Sequence, residues 1–268
     1  MQKRIIMLVI CNGTFKSGSS WLHAILLEIF RLKKIHIDNI PEKYNPDIKS
    51  PTRILEKNLP YFLQDEDYAR LNYITKAHYF SNQIILDSYP NDVKFIFIER
   101  DIKDAIVSHF HHFNNYRKKD LSFTNYFKFI GVFKAYEMCL FNTRCKQNFD
   151  SDLFFSFERF KSDFNNSVMD LCLILGIPHI SKAEILEIKE NTSLNKMRTI
   201  AKEGGNKYYP ELGENSHKLF RKGNTGDWKE YYIESNLKLI NRVIQLDSPL
   251  YVKIGYFFMF TLRRKIGL

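Results

Sequence analysis

The chain has 268 residues, of which 44% are hydrophobic and 26% charged, a composition that fits a globular protein with ample core, read here as one domain spanning residues 1–268. Forty Lys and Arg against thirty Asp and Glu leave a net charge of +10. That excess points to an anionic partner such as nucleic acid, a membrane surface or a multiply charged small ligand, or to a basic solvated face and nothing more. The four cysteines, Cys11, Cys139, Cys145 and Cys172, have neither the density of a disulfide framework nor the spacing of a zinc site, so a reducing, cytoplasmic setting without a metal centre is expected.

At the N-terminus, "MQKRIIMLVIC" is basic and then apolar, but the run is short and leads into Asn-Gly-Thr without a small-residue cleavage pattern. It reads as a first strand over Arg4–Cys11. Next comes "ICNGTFKSGSSWLHAIL", where Gly13 and Gly18 have the G-x-x-x-x-G spacing of a phosphate loop. Ser19 stands where a nucleoside-triphosphatase has its lysine, and the lysine is displaced to position 16. Leu22, Ile25, Leu26, Ile29 and Phe30 follow at helical spacing behind a serine cap, which sets the loop between a strand and a helix N-terminus. Backbone N–H groups and the helix dipole suit an anion there, although a chance pair of glycines in a surface turn would read the same way.

Further strands are expected at Asn72–Lys76, Val93–Glu99 and Asp152–Phe157. Helices are expected at Lys103–Tyr116, Thr124–Lys146, Phe164–Leu175, Lys182–Glu190 and Tyr231–Leu246. Apolar runs alternating with helical patterns predict an α/β fold with three α/β/α layers around a central parallel sheet. Asn39–Pro60 and Ala201–Thr225 read as irregular, and segments of that kind are often lids or binding loops. Near the C-terminus, "YVKIGYFFMFTL" is interrupted by Lys253 and Gly255 and is too short to span a bilayer. No transmembrane segment is expected, and the basic-flanked tail ending in "LRRKIGL" is a candidate for peripheral contact with a membrane or partner.

Two more motifs bear on the loop. "IFIERDIKDAIVSHFHHF" sets Arg100 at a strand end and Ser108 two turns along the next helix, and "FRKGNTGDWKEYY" sets Arg221 and Lys222 beside Gly223. With these three motifs in this order, the sequence resembles the cytosolic-type sulfotransferases, which use 3′-phosphoadenosine 5′-phosphosulfate (PAPS). The family's Lys-Ser-Gly-Thr-Thr-Trp is matched by Lys16, Ser17, Gly18, Ser19, Ser20 and Trp21, and its Arg-Lys-Gly-x-x-Gly-Asp-Trp-Lys falls without a gap on Arg221 to Lys229.

The resemblance implies that the first loop holds the 5′ end of the cofactor, with Lys16 at the bridging oxygen of the leaving group. It implies that Arg100, Ser108, Arg221, Lys222 and Gly223 hold the 3′-phosphate. Trp21, Thr192, Ser193, Leu194 and Met197 are implied around base and sugar, the last four from "ENTSLNKM". Guanidinium and ammonium groups are what a phosphate dianion requires. Residue by residue a plainer role competes: Arg100 and Ser108 as a helix-face pair, Trp228 as a core plug, Asp227 as the cap of the last helix.

For the base that deprotonates the acceptor, "YITKAHYFS" offers Lys76 and His78 at a strand end, where α/β folds place catalytic groups. The family's pattern there resembles Lys-Thr-His, so Ala77 is a departure, as are Phe157 in place of an adenosine-side tyrosine and Leu194 in place of phenylalanine. His109, His111 and His112 form a competing cluster. The acceptor, a small molecule, carbohydrate or lipid with a hydroxyl or amine, is expected near Tyr79, Phe80, Phe110, Phe113, Tyr208 and Tyr209. The resemblance implies a PAPS-dependent transferase that releases 3′,5′-adenosine bisphosphate (PAP) and needs no metal. A phosphate-loop nucleoside or nucleotide kinase is the nearest alternative, and a polyanion-binding module is a weaker one, since no nucleic-acid motif is present. No dimerisation pattern is recognised after Trp228, which leaves the oligomeric state open.

Overall fold

A computed structural model describes residues 7–45, 52–66, 68, 71–80, 89–90, 92–177, 179–203 and 220–266. Arg4 to Ile6 of the expected first strand, and Tyr208 and Tyr209, lie outside them. The chain divides into two compact units. Unit 1 comprises Met1–Gly13, Ser17–Glu99 and Asn148–Gly223, and unit 2 comprises Thr14–Lys16, Arg100–Gln147 and Asn224–Leu268.

Unit 1 is built on a four-stranded sheet of β1 (Leu8–Gly13), β2 (Tyr73–Ala77), β3 (Val93–Glu99) and β4 (Phe154–Ser156), in the order β2-β1-β3-β4. Every pairing is parallel, as the sequence predicts for an α/β fold. Every residue of β1 and β2 is buried, as expected of strands covered on both faces. The chain leaves β1 toward β2 on one side and reaches β3 on the other. The carboxyl ends of β1 and β3 therefore form a switch point, the usual place for a ligand in such sheets.

Helix α1 (Ser19–Leu32) buries Leu22, Ile25, Leu26, Ile29 and Phe30, the positions its periodicity singled out, each worth about 1.5–3 kcal/mol of transfer free energy. The short α2 (Leu59–Leu63) buries Leu59 and Phe62. The expected strand Asp152–Phe157 is shorter than its β-propensity suggests. Ser156 Oγ accepts from the Arg159 N–H and caps a helix that begins at Phe157, so local capping prevails over the apolar run.

In unit 2, helix α3 (Ile102–Arg117) is capped by Asp101, whose carboxylate accepts from the Lys103 and Asp104 N–H groups. The predicted helix Thr124–Lys146 is present as α4 (Phe123–Tyr126), a π turn at Phe127–Gly131, and α5 (Val132–Asn148). A β-carbon on Gly131 would sit 2.9 Å from the Tyr126 ring, a spacing that requires glycine at this turn.

Back in unit 1, α6 (Phe157–Ser162), α7 (Phe164–Ile174) and α8 (Lys182–Asn191) precede α9 (Leu194–Glu203), which the sequence did not reveal. The chain closes in unit 2 with α10 (Glu234–Ile244) and α11 (Leu250–Ile266). Helix α10 starts three residues later than expected. Asp227 does not cap it; it opens a 3-10 turn, Asp227–Glu230, and accepts from Asn224 Nδ2. Ala105, Ile106, Phe110, Tyr126, Tyr232 and Val252 belong to the core of this unit.

Candidate active site

The glycine loop takes its shape from backbone crowding. A β-carbon on Gly13 would lie 2.6 Å from the Ile98 carbonyl oxygen, and one on Gly18 would lie 2.9 Å from the Phe157 ring. Gly18 is left-handed at φ 104° and leads directly into α1. Lys16 is also left-handed, at φ 60°, which for a residue with a side chain costs on the order of 1–3 kcal/mol and is typical of a functional turn. Helix α1 has no side-chain cap and no acidic residue in its first turn. Its first N–H groups thus present positive potential at the carboxyl end of β1. Ser17 and Ser19 are buried, and Ser20 is half-buried.

Around that turn unit 1 assembles aromatic and polar groups. Trp21 packs edge-on against Phe157 at 5.3 Å and stacks with Phe164 at 6.2 Å. Phe157 therefore fills the space beneath Gly18. Helix α8 runs alongside α1, with Asn191 Nδ2 donating to Glu28 at 2.9 Å, and brings Thr192 to its end. Thr192 Oγ1 donates to the Ile188 carbonyl, Ser193 Oγ accepts from the Lys196 N–H, and Met197 is buried. Gly223, left-handed at φ 64°, lies over Leu194. Arg198 Nε donates to the Phe220 carbonyl at 2.6 Å and steadies the segment that carries Arg221, half-buried, and exposed Lys222.

His78 follows β2 directly and is tied to the loop, its Nδ1 lying 2.6 Å from the Gly13 carbonyl oxygen. Lys76, two residues before, is 2% exposed and stands opposite Cys11 in the register of β1. A residue that sequence reasoning missed holds this corner. Asn12 Oδ1 accepts from the Tyr79 and Gly13 N–H groups, and its Nδ2 donates to the Tyr79 carbonyl. The available signal was an amide at the end of an otherwise apolar strand. Tyr79 itself is core: its hydroxyl donates to the Ile54 carbonyl and burial drives its pKa upward.

Unit 2 links the other two motifs. Arg100 Nη2 donates to the Asn224 carbonyl at 2.6 Å. Asp104, also not singled out from sequence, is 2% exposed and accepts from Gly226 N at 2.6 Å and Trp228 N at 3.0 Å. The Lys103 ammonium sits 4.1 Å from the Trp228 ring centroid, so this tryptophan is partly a core plug and partly a cation platform. Ser108 is half-buried on α3. In the histidine cluster, His109 Nδ1 lies 2.5 Å from the Tyr126 hydroxyl, and His111 Nε2 lies 2.9 Å from the Tyr231 hydroxyl. Phe110, expected near the acceptor, is a core residue.

All four cysteines are free thiols and buried. Burial raises the Cys172 thiol to about 11 and the Cys139 and Cys145 thiols to about 12. No group of three or more His, Cys, Asp and Glu able to hold a metal occurs among the described residues.

These features fit a phosphorylated nucleotide: an uncapped helix N-terminus behind a strained loop, Trp21 beside it, and basic residues in glycine-containing turns. The sequence profile of the sulfotransferase domain matches residues 8–253. The flavonol 3-sulfotransferase of Flaveria bidentis is 24% identical over 250 residues, covering 85% of this chain and 78% of that protein. Cytosolic sulfotransferase 6 of Arabidopsis thaliana is 24% identical over 250 residues, covering 86% and 75%. Among solved structures, mouse sulfotransferase SULT7A1 complexed with PAP superposes with a TM-score of 0.60 at 18% identity, covering 90% of this chain and 83% of that one. With the loop, the Arg100 to Ser108 helix and the Arg221 to Lys229 segment all inside the matched region, the chain belongs to the sulfotransferase domain family and is an enzyme of sulfuryl transfer.

Proposed function

We propose that the enzyme moves a sulfuryl group from PAPS to the hydroxyl, or amine, of a small-molecule acceptor, with His78 as general base. The observation that carries this reading is the hydrogen bond between His78 and the carbonyl of Gly13. It fixes a titratable imidazole against the loop whose lysine is displaced to position 16. A named relative acting on flavonols and a fold neighbour complexed with PAP support the choice of acceptor class and nucleotide.

In this reading PAPS supplies the sulfuryl group: the bond from sulfur to the bridging phosphate oxygen breaks as the acceptor oxygen bonds to sulfur. His78 takes the acceptor proton. Lys16 neutralises charge growing on the bridging oxygen, and Lys76 assists at the transferred group. Preorganised cations aimed at developing negative charge are usually the largest single catalytic contribution. Ser17, Gly18, Ser19 and Ser20 bind the 5′ end through the loop and the start of α1, and Trp21, Thr192, Ser193, Leu194 and Met197 bound the adenosine. The 3′-phosphate is assigned to Arg100, Ser108, Arg221, Lys222 and Gly223.

No metal enters the proposal, because a lysine inside the loop does the work that lysine and magnesium share in a kinase. Relatives named cytosolic support a cytoplasmic location, and no helix among the described residues is long and apolar enough to cross a membrane. The test is transfer of label from sulfur-labelled PAPS to a panel of phenols, alcohols and amines in the presence of EDTA. Sulfated product is expected. Magnesium-dependent phosphate transfer from ATP, without sulfate transfer, would replace this reading with the kinase.

A further inference from the structure

Helix α11 presents its apolar residues to solvent. Leu250 is 71% exposed, Tyr251 55%, Ile254 45%, Phe257 65% and Phe258 60%. At about 100° per residue these five positions occupy one continuous arc of about 120°. The opposite side anchors the helix in unit 2, where Val252 is buried, Gly255 lies against the Phe133 ring and Tyr256 packs edge-on to Tyr136 at 5.3 Å. Exposed apolar arcs of this kind mark interaction surfaces. Only the first turn of α11 falls in the family match, which ends at residue 253. The rest of the helix lies beyond that match.

Charge identifies the occupant. Lys253 is exposed one turn before Phe257, and the same helix continues through Arg263, Arg264 and Lys265, giving α11 four basic residues and no carboxylate. A second copy docking by this face would bring like charges together, in a protein that already carries +10. An anionic lipid surface meets both requirements, taking Phe257, Phe258, Ile254 and Leu250 into the boundary between headgroups and acyl chains while exposed Lys253 pairs with a lipid phosphate or carboxylate. Tyr251 suits the same depth, since aromatic rings with a polar end concentrate there. A 17-residue helix with four cations lies on a bilayer and does not cross it.

We propose that α11 is a peripheral membrane anchor that holds the enzyme on anionic bilayers through this arc. The proposal is independent of the catalytic reading, because its test needs no turnover. The full chain is sedimented with phosphatidylcholine vesicles and with vesicles containing about one third phosphatidylserine. Binding is expected to the second kind and to be weakened by salt. Phe257→Ser with Phe258→Ser should lower vesicle binding more than tenfold, and Lys253→Gln alone by about fivefold, the effect of one surface cation. Both changes fall on exposed side chains, and unaltered circular dichroism confirms folding. Equal binding to the two vesicle types, no binding to either, or a dimer in the absence of lipid that Phe257→Ser with Phe258→Ser dissociates would each overturn the assignment.

Discussion

His78 Nδ1 lies 2.6 Å from the carbonyl oxygen of Gly13. A carbonyl only accepts, so Nδ1 carries the proton and the lone pair falls on Nε2, the tautomer a general base needs. The first glycine of the phosphate loop thus has two tasks: it permits the close approach to Ile98, and its carbonyl sets the imidazole.

His78→Ala should lower kcat by about 10²–10⁴-fold, the usual contribution of a positioned base, while PAP affinity changes little. His78→Asn separates orientation from proton transfer, because an amide can still donate to Gly13 and cannot take the proton. Steady-state kinetics of both variants, with calorimetry of PAP binding, check this. Wild-type turnover by either variant on an unactivated alcohol would move the base elsewhere.

PAP should bind at least about 10²-fold tighter than AMP, since two or more charge-assisted contacts worth about 1.5–3 kcal/mol each are assigned to the 3′-phosphate. Arg221→Ala should erase most of that preference and leave AMP affinity within about threefold. Isothermal calorimetry with both nucleotides decides it, and equal affinities in the wild type would reassign Arg100, Ser108, Arg221 and Lys222.

An acid-labile contact lies far from the loop. Glu184 closes a capping box with Ser181 at the start of α8 and pairs with Lys33 at 2.7 Å. The Lys33 ammonium, then the Ser181 N–H, hold its carboxyl down at about 2. A glutamate in the unfolded chain titrates near 4.3, so this stabilisation is complete above about pH 4.3 and is lost as pH falls toward 2. Glu184→Gln should lower Tm by about 2–4 °C at pH 7, consistent with roughly 1 kcal/mol for a cap and a partly exposed pair. The difference from wild type should close below pH 4.3. Thermal melts across that range measure it.

The parts of this protein that were legible in sequence are those fixed by local chemistry. The glycine loop shows itself because only glycine tolerates the approach to Ile98 and the left-handed turn at residue 18. β3 shows itself through Phe95–Ile98, an unbroken apolar run that is buried throughout. Phe157 misled because its β-propensity says nothing of the serine cap one residue earlier. The histidine cluster drew attention as a group, yet His109 and His111 meet tyrosines that are distant in sequence. Helix α11 was hidden by inversion, since periodicity marks an apolar face without saying whether it points to core or to solvent. Asn12 and Asp104 act through backbone groups 67 and 122 or more residues away, and no local pattern encodes such a contact.

Asp104 gives the last prediction. Its buried carboxylate gathers the N–H groups of Gly226 and Trp228, shaping the turn that follows Arg221, Lys222 and Gly223, while the Asn224 carbonyl in the same turn receives Arg100. A single buried charge therefore holds the Gly226–Trp228 part of the third motif to the helix of the second, and it sits in the first turn of α3, where the helix dipole favours an anion. Asp104→Asn keeps size and one acceptor but removes the charge, and losing charged hydrogen bonds to buried N–H groups costs about 1.5–3 kcal/mol. If that cost is expressed in the turn, PAP affinity should fall about 10–150-fold while kcat at saturating PAPS falls far less, because Asp104 is assigned no part in the chemistry. Asp104→Glu should recover part of the affinity. A variant that binds PAP normally while losing kcat would instead place Asp104 in the chemistry, and one that loses only thermal stability would confine it to the fold.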